Sequence, residues 1–249
     1  MRSALFLFVT VGLLTYSANA QSARVRAPID LTGYWVSIVT SDWRWRMVTP
    51  ARGDYSSIPI TPSAKKIADA WDPAKDEAAG EQCKSYGAPA LMRIPGRVRL
   101  SWADDNTLKA ETDAGTQTRL FHFGEWKAPG GAASYQGESR AEWEVPHNRT
   151  GVGSFAAPVP PPAGVGTLKL VTTNIRPGYL RKNGVPYSAQ TRLTEYWDIN
   201  QHPSGDQWLT ITTLVDDPVY LQEQWVVALH FKKETDGAKW DPSACSARW

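Results

Sequence analysis

From residue 97 onward the chain repeats one pattern: short runs in which apolar and polar side chains alternate, cut by turn residues. A period of two places successive side chains on opposite faces of an extended strand, which a helix cannot present as one apolar stripe. "RVRLSW" (97–102) sets Val98, Leu100 and Trp102 against Arg97, Arg99 and Ser101. "ADDN" (103–106) is a turn, "TLKAETD" (107–113) alternates Leu108, Ala110 and Thr112 against Lys109 and Glu111, and Gly115 turns the chain into "TQTRLFHFGEW" (116–126). This is a three-stranded meander. Further strands are expected over 138–145, 166–175, 191–199, 206–215 and 223–234, with "GYWVSIV" (33–39) and "DWRWRMV" (42–48) near the start. About ten short strands make an all-β fold, a lipocalin-like barrel or a curled antiparallel sheet. One short helix is expected after Thr61, which can cap it. Pro62 takes the first helical position, and Ala64, Ile67, Ala68 and Trp71 fall on one face.

The first twenty residues read as a secretion signal rather than part of the fold. Arg2 is the positive start, "ALFLFVTVGLLTY" the apolar stretch, and "ANA" ending at Ala20 the small-x-small cleavage site. The apolar stretch is too short to span a bilayer. The mature chain is expected to begin near Gln21, to run to residue 249 as one domain, and to be periplasmic or secreted. "PVPPPAGVG" (158–166) reads as a long crossing loop within that domain rather than a linker, because the strands after it need partners.

Without Arg2 the 27 basic side chains become 26, against 25 acidic ones. That near-neutrality argues against nucleic acid as a partner, which needs a strong basic field. Cys83 and Cys245 are the only cysteines, without CxxC spacing, and in an exported protein they read as a disulfide.

The common catalytic signatures are missing: there is no HExxH, GxSxG, P-loop or GxGxxG, and "GVGSFA" (151–156) is only a glycine-rich loop. Of the four histidines, His147 and His202 adjoin prolines and belong to loops, whereas His122 and His230 sit in matching strand segments, "LFHFG" and "ALHFK". Such histidines are either hydrogen-bonded wall residues or two imidazoles sharing a cavity with Glu142, Glu195 or Tyr196, where they could act as acid and base. No ligand spacing points to a metal, and no organic cofactor is expected. The aspartates of "ADDN" (103–106) and "VDDP" (215–218) have a sufficient role in accepting turn amides. Glu195 shares a strand face with Leu193, Trp197 and Ile199 and is expected to point inward, where a carboxylate is costly unless paired. In "SDWRWRM" (41–47) parity puts Trp43 and Trp45 on one face and Arg44 and Arg46 on the other. An extended reading sends the tryptophans inward, as ordinary core or as an aromatic wall of a cavity. Arg44 or Arg46 would then reach the rim, where a guanidinium can meet an anionic ligand group.

"DLTGYW" (30–35), the helix after "ITP", "EQCKSYGAP" (81–89), "TRLF" (118–121), "GTLKLVTTN" (166–174) and "LTEYW" with "DQWLTITTLVDDPVYL" (193–221) follow a recurring order. In it the chain resembles a family of secreted bacterial β-rich proteins, similar in expected architecture to lipocalin-like barrels. These usually open "DLTGxW" and carry a Cys-Gly-Pro segment, a "GDTL"-type strand and a late Asp-Pro-x-x-Tyr. Where that family often has Asp-Gly-Arg, this chain reads "HFGEW" (122–126). The resemblance implies fold and location, not mechanism. Two functions stay open. One is a binding protein holding a small, partly apolar or aromatic molecule, for which twelve tryptophans supply apolar area. The other is a cofactor-independent lyase, isomerase or hydrolase using acid–base groups in the same cavity.

Overall fold

The structure, a computed structural model, describes residues 21–127, 130–146, 148–150, 157–159 and 164–248, with backbone alone for 148–150 and 157–159. The signal segment, His147 and the glycine-rich 151–156 stretch lie outside the described residues, as does the middle of 158–166. Thirteen strands are described: β1 (Gly33–Ile38), β2 (Arg97–Asp104), β3 (Thr107–Thr112), β4 (Thr118–Phe123), β5 (Glu138–Glu144), β6 (Asn148–Thr150), β7 (Ala157–Val159), β8 (Thr167–Thr173), β9 (Gly178–Arg181), β10 (Val185–Tyr187), β11 (Arg192–Gln201), β12 (Gln207–Asp216) and β13 (Trp225–Glu234). Nine of them close into a barrel in the order β1-β13-β12-β11-β8-β5-β4-β3-β2, while β9 with β10 and β6 with β7 form separate ribbons.

Around this ring every barrel strand neighbours the next barrel strand in sequence, and β13 closes on β1. Strictly alternating directions cannot close a ring of odd number. The barrel meets this with one parallel pair, β4 with β5, in register Phe121↔Ser139 to Phe123↔Ala141. A parallel pair needs a crossover connection, and the interval from Phe123 to Glu138 is long enough for one.

The interior follows the alternation read from the sequence. Val98, Leu100, Leu108, Ala110, Phe121, Leu168, Leu170, Trp197, Leu209, Ile211, Leu229 and Phe231 are buried in one cluster, with Trp35 of the "DLTGYW" motif fully enclosed among them. A barrel of about eight strands has just enough interior for side chains to fill or for one small ligand. Here side chains fill it: Trp35, Trp197, Phe121 and Phe231 are essentially inaccessible, and the Phe121 and Trp197 rings meet edge to face at 5.3 Å.

Both ends are covered. At one end the buried Ala23 receives a hydrogen bond from Trp143 Nε1 and donates its amide to Asn106 Oδ1. The other end carries a cap: α1 (Trp43–Arg46), α2 (Pro62–Asp69), α3 (Pro73–Ala78), a 3-10 turn (Gln82–Tyr86), α4 (Ala88–Leu91) and the β9–β10 ribbon. A second apolar cluster, including Tyr55, Leu180, Val185, Tyr187, Val215 and Trp225, joins the cap to the strand ends. As expected, Thr61 caps α2 by accepting from the Ala64 amide, with Pro62 in the first turn; Ile67, however, stays largely exposed. The single expected helix is thus joined by three more and a 3-10 turn, none longer than six residues. Elements that short lack the repeats that make amphipathicity legible. The β9–β10 turn needs Gly184, whose φ is +82°, and a Cβ there would lie 2.2 Å from Trp71 Cβ.

Cys83 of the 3-10 turn and Cys245 are joined in a disulfide. It fastens the C-terminal tail beside the cap, where the Ser246 amide donates to Tyr86 Oη and Ala247 is buried. Among the described residues no helix is long and apolar enough to cross a membrane.

A buried cation cluster beneath the cap

The extended reading of "SDWRWRM" is corrected by the structure. Asp42 adopts a left-handed conformation (φ +54°), which Asp tolerates better than most residues, and residues 43–46 then form a helical turn closed by the Met47 amide on Trp43 O. The burial is the reverse of that expected. Arg46 is 2 % exposed, whereas Trp43 is 64 % exposed and Trp45 is half-buried. Arg44 remains outside, 3.7 Å from Asp54. Strand parity misleads here because tryptophan and arginine are both long amphipathic side chains, so their alternation does not separate an inner face from an outer one.

Arg46 is turned into the cap by hydrogen bonds. Its Nε donates to Arg93 O at 2.8 Å, Nη1 to Ser41 O and Nη2 to Ser37 Oγ. Beside it Arg93, also buried, pairs through Nη1 with Asp42 Oδ2 at 2.8 Å and lies over the Trp225 ring; its Nη2 is buried with no hydrogen-bond partner among the described residues. Arg181, at the end of β9, donates to Asp54 O, Ser56 O and Ser57 Oγ and stacks on Trp45 at 5.0 Å. Lys182 follows it, with Nζ donating to Tyr86 Oη at 2.8 Å. Trp45 is fixed from its other side by Nε1 donating to Asp54 Oδ2.

Trp45, Arg46, Arg93, Arg181 and Lys182 line one cleft with a volume of about 20 Å³. Three guanidiniums and an ammonium therefore line one cleft, with Asp42 bound to Arg93 and Asp54 to Trp45 beside it. Their titration reflects the crowding. Burial, then the Arg93 charge, pushes Arg46 down to about 10, and the same two causes bring Arg181 to about 10. Burial pushes Lys182 down to about 8. Arg93 is also lowered by burial, against the opposing pull of Asp42. Arg46 and Arg181 meet only neutral acceptors, the weaker kind of partner for a buried charge.

The remaining candidates do not converge. His122 and His230 lie on β4 and β13, both on the outer wall: His122 stacks on Trp126 at 4.1 Å and bonds Thr107, while His230 Nδ1 is 3.0 Å from Thr40 Oγ1. Burial lowers the His122 pKa. Their strand parity explains the placement, since the phenylalanine after each histidine takes the interior. Glu142 is exposed and bound to Lys169, and Tyr196 faces outward on β11. An outer-wall hollow of about 630 Å³, lined by Trp126, Arg140, Glu142, Lys169 and Arg192 among others, is charge-compensated: Lys169 holds both Glu142 and Glu144.

Glu195 does point into the barrel. It meets Arg119 of β4 in a two-point ion pair, Nη1–Oε1 3.0 Å and Nη2–Oε2 2.5 Å, with both side chains almost fully buried. Arg119 Nη2 also donates to Thr172 Oγ1, which lies 2.8 Å from Ser139 Oγ. Arg119 escaped notice in the sequence, although its parity with Phe121 and Phe123 marks it as inward. Arg93, Arg181 and Lys182 carried no comparable signal, because they sit in short elements without a period. Among the described residues no three His, Cys, Asp or Glu side chains are grouped as a metal site. The expected cavity shared by His122, His230, Glu142, Glu195 and Tyr196 is therefore not formed, and the cation cluster under the cap is the site that remains. No protein-family model, curated protein or solved structure matches the chain, so its reading rests on this geometry.

Proposed function

We propose that the protein is an exported binding protein that takes one oxygen of the anionic group of a small molecule into the cleft beneath the cap, against Trp45. The observation that carries this reading is the burial of Arg46, Arg93 and Arg181 around one cleft, with the Arg93 Nη2 group lacking a partner among the described residues. Buried charges are costly unless paired, and a bound oxyanion would supply charge-assisted acceptors to several of them at once. Export, and membership of the secreted lipocalin-like family expected from "DLTGYW", belong to the same proposal; the disulfide is compatible with an oxidising compartment. The binding site would be the capped end and not the barrel lumen, which tryptophan and phenylalanine occupy.

The test is a titration with phosphate and acetate at matched ionic strength, followed by thermal stability and tryptophan fluorescence. Wild-type protein is expected to gain stability and change its emission. Lys182→Met keeps the apolar stem and removes one charge, so the fold should persist while affinity falls roughly ten- to hundredfold, the worth of one charge-assisted hydrogen bond. Equal responses in the two proteins would overturn the reading.

A pH dependence follows from the position of Lys182. Its folded value near 8 lies below the ordinary 10.5. Between these values the unfolded chain binds more protons, so stability in the absence of anion should rise with pH across that interval. Anion affinity should do the opposite and weaken as Lys182 loses its charge. Among the groups facing it are Tyr86, which accepts its hydrogen bond, and Arg46, Arg93 and Arg181 around the cleft. Arg46 and Arg181 titrate near 10, so the diagnostic interval is roughly pH 7 to 9. Denaturant unfolding and binding measured over it should both flatten in Lys182→Met.

A further inference from the structure

On β5 and β8 the alternation that fills the barrel also lays out its outer wall. Glu138, Arg140 and Glu142 face outward on β5, paired with Thr173, Val171 and Lys169 on β8. Three outward positions on each strand make a floor roughly 13 Å long and about 5 Å across. It is the floor of the hollow of about 630 Å³, a volume in the range of small-molecule sites. Arg192 of β11 borders the hollow beyond β8, and Trp126, just after β4, borders it beyond β5. Trp126 is fixed in place. His122 stacks on its indole with centroids 4.1 Å apart and planes 3° off parallel, and Arg140 Nη2 donates to its carbonyl at 3.2 Å. Two neighbouring hollows, of about 430 and 490 Å³, are lined by both Trp126 and His122, whereas the 630 Å³ hollow is lined by Trp126 without His122. A rigid indole thus stands where three hollows meet.

Charge decides the class of occupant. Arg140, Lys169 and Arg192 line the hollow together with Glu138 and Glu142, and Lys169 Nζ lies 2.8 Å from Glu142 and 2.9 Å from Glu144. An anion entering here meets two carboxylates, a cation meets three bases, and an apolar molecule strips water from all of them. Hydroxyl groups both donate and accept, so a neutral polyhydroxyl ligand satisfies either sign. The indole adds an apolar face against which the C–H face of a pyranose ring can pack. We propose that this hollow binds a neutral oligosaccharide of roughly two or three pyranose units, the length of the floor. One unit stacks on the Trp126 face that His122 leaves open, and the others hydrogen-bond along Glu138, Arg140, Glu142 and Arg192. This site is independent of the anion reading of the cleft, with which it shares no lining residue.

The experiment titrates cellotriose, maltotriose and triacetylchitotriose into the full disulfide-bonded chain, followed by calorimetry and tryptophan fluorescence, with trigalacturonate as the charged comparison. At least one neutral trisaccharide is expected to bind saturably in the millimolar range or tighter and to change the emission, and trigalacturonate to bind no more tightly. Trp126→Ala should weaken that binding up to about tenfold, the worth of one ring contact, and remove the emission change. Arg192→Ala, confined to an exposed side chain, should weaken it severalfold through one lost donor. Calorimetric unfolding shows that each variant is folded; where Trp126→Ala does not fold, Arg192→Ala decides alone. Binding of none of the three neutral sugars, tighter binding of trigalacturonate than of all of them, or an affinity that survives either replacement would overturn the proposal. None of these results bears on the cleft beneath the cap, which the phosphate and acetate titration tests separately.

Discussion

Glu195→Leu should lower the stability of the protein by roughly 3–5 kcal/mol, because it strands the Arg119 guanidinium inside a barrel wall of tryptophan, phenylalanine and leucine. For a domain of this size that is a fall in Tm of roughly 10 °C or more. The two side chains are 0 % and 1 % exposed, so the unpaired charge cannot escape to solvent. Arg119→Met alone should cost a similar amount through the buried carboxylate. The double replacement Arg119→Met/Glu195→Leu should recover most of the loss, since an apolar pair of similar volume needs no desolvation. Calorimetric unfolding of the four proteins forms a cycle. A single replacement costing under about 1 kcal/mol would mean that water reaches the pair. Arg119 Nε, Thr213 Oγ1 and Trp197 Nε1 are buried without a partner among the described residues. Internal water ordinarily serves such atoms.

Reduction of the Cys83–Cys245 bridge is the other large expected effect. The bridge spans 162 residues, and on the chain-entropy account closing a loop of that length is worth about 5 kcal/mol, an amount that other accounts assign to different causes. Unfolding in denaturant with and without reductant, and for Cys83→Ala/Cys245→Ala, should show the loss. Peptide mapping of non-reduced protein should recover the two cysteine peptides as one. Local consequences should concentrate at the tail, where Thr116 Oγ1 holds Ser243 O and the Ser246 amide holds Tyr86. Free thiols in exported protein, or a variant as stable as the parent, would refute this.

Much of the architecture was legible from residue order alone, and for a local reason. Strand parity is decided by which side chains prefer to leave water, so Val98, Leu100, Leu108 and Ala110 could be placed inside before any partner was known. Thr61 and Pro62 announced α2 through a hydrogen bond spanning three residues. The same parity put Glu195 inside. It also placed Trp43 and Trp45 inside, where it failed, because amphipathic side chains do not declare a face and a single left-handed Asp42 redirects the chain.

What only the tertiary structure decided are relations between distant residues. That nine strands close, and therefore need the parallel β4–β5 pair, depends on β13 finding β1. That Glu195 has a counter-charge depends on barrel closure bringing Arg119 of β4, 76 residues away in sequence, to it inside the barrel. That His122 and His230 stay apart follows from the strands between them in the ring. The cation cluster gathers Arg46, Arg93, Arg181 and Lys182 from α1, the end of α4 and the β9 turn, elements with no period and no motif. Composition and alternation select an all-β fold because they act one residue at a time. The site depends on packing short irregular segments against one another, which no local preference encodes.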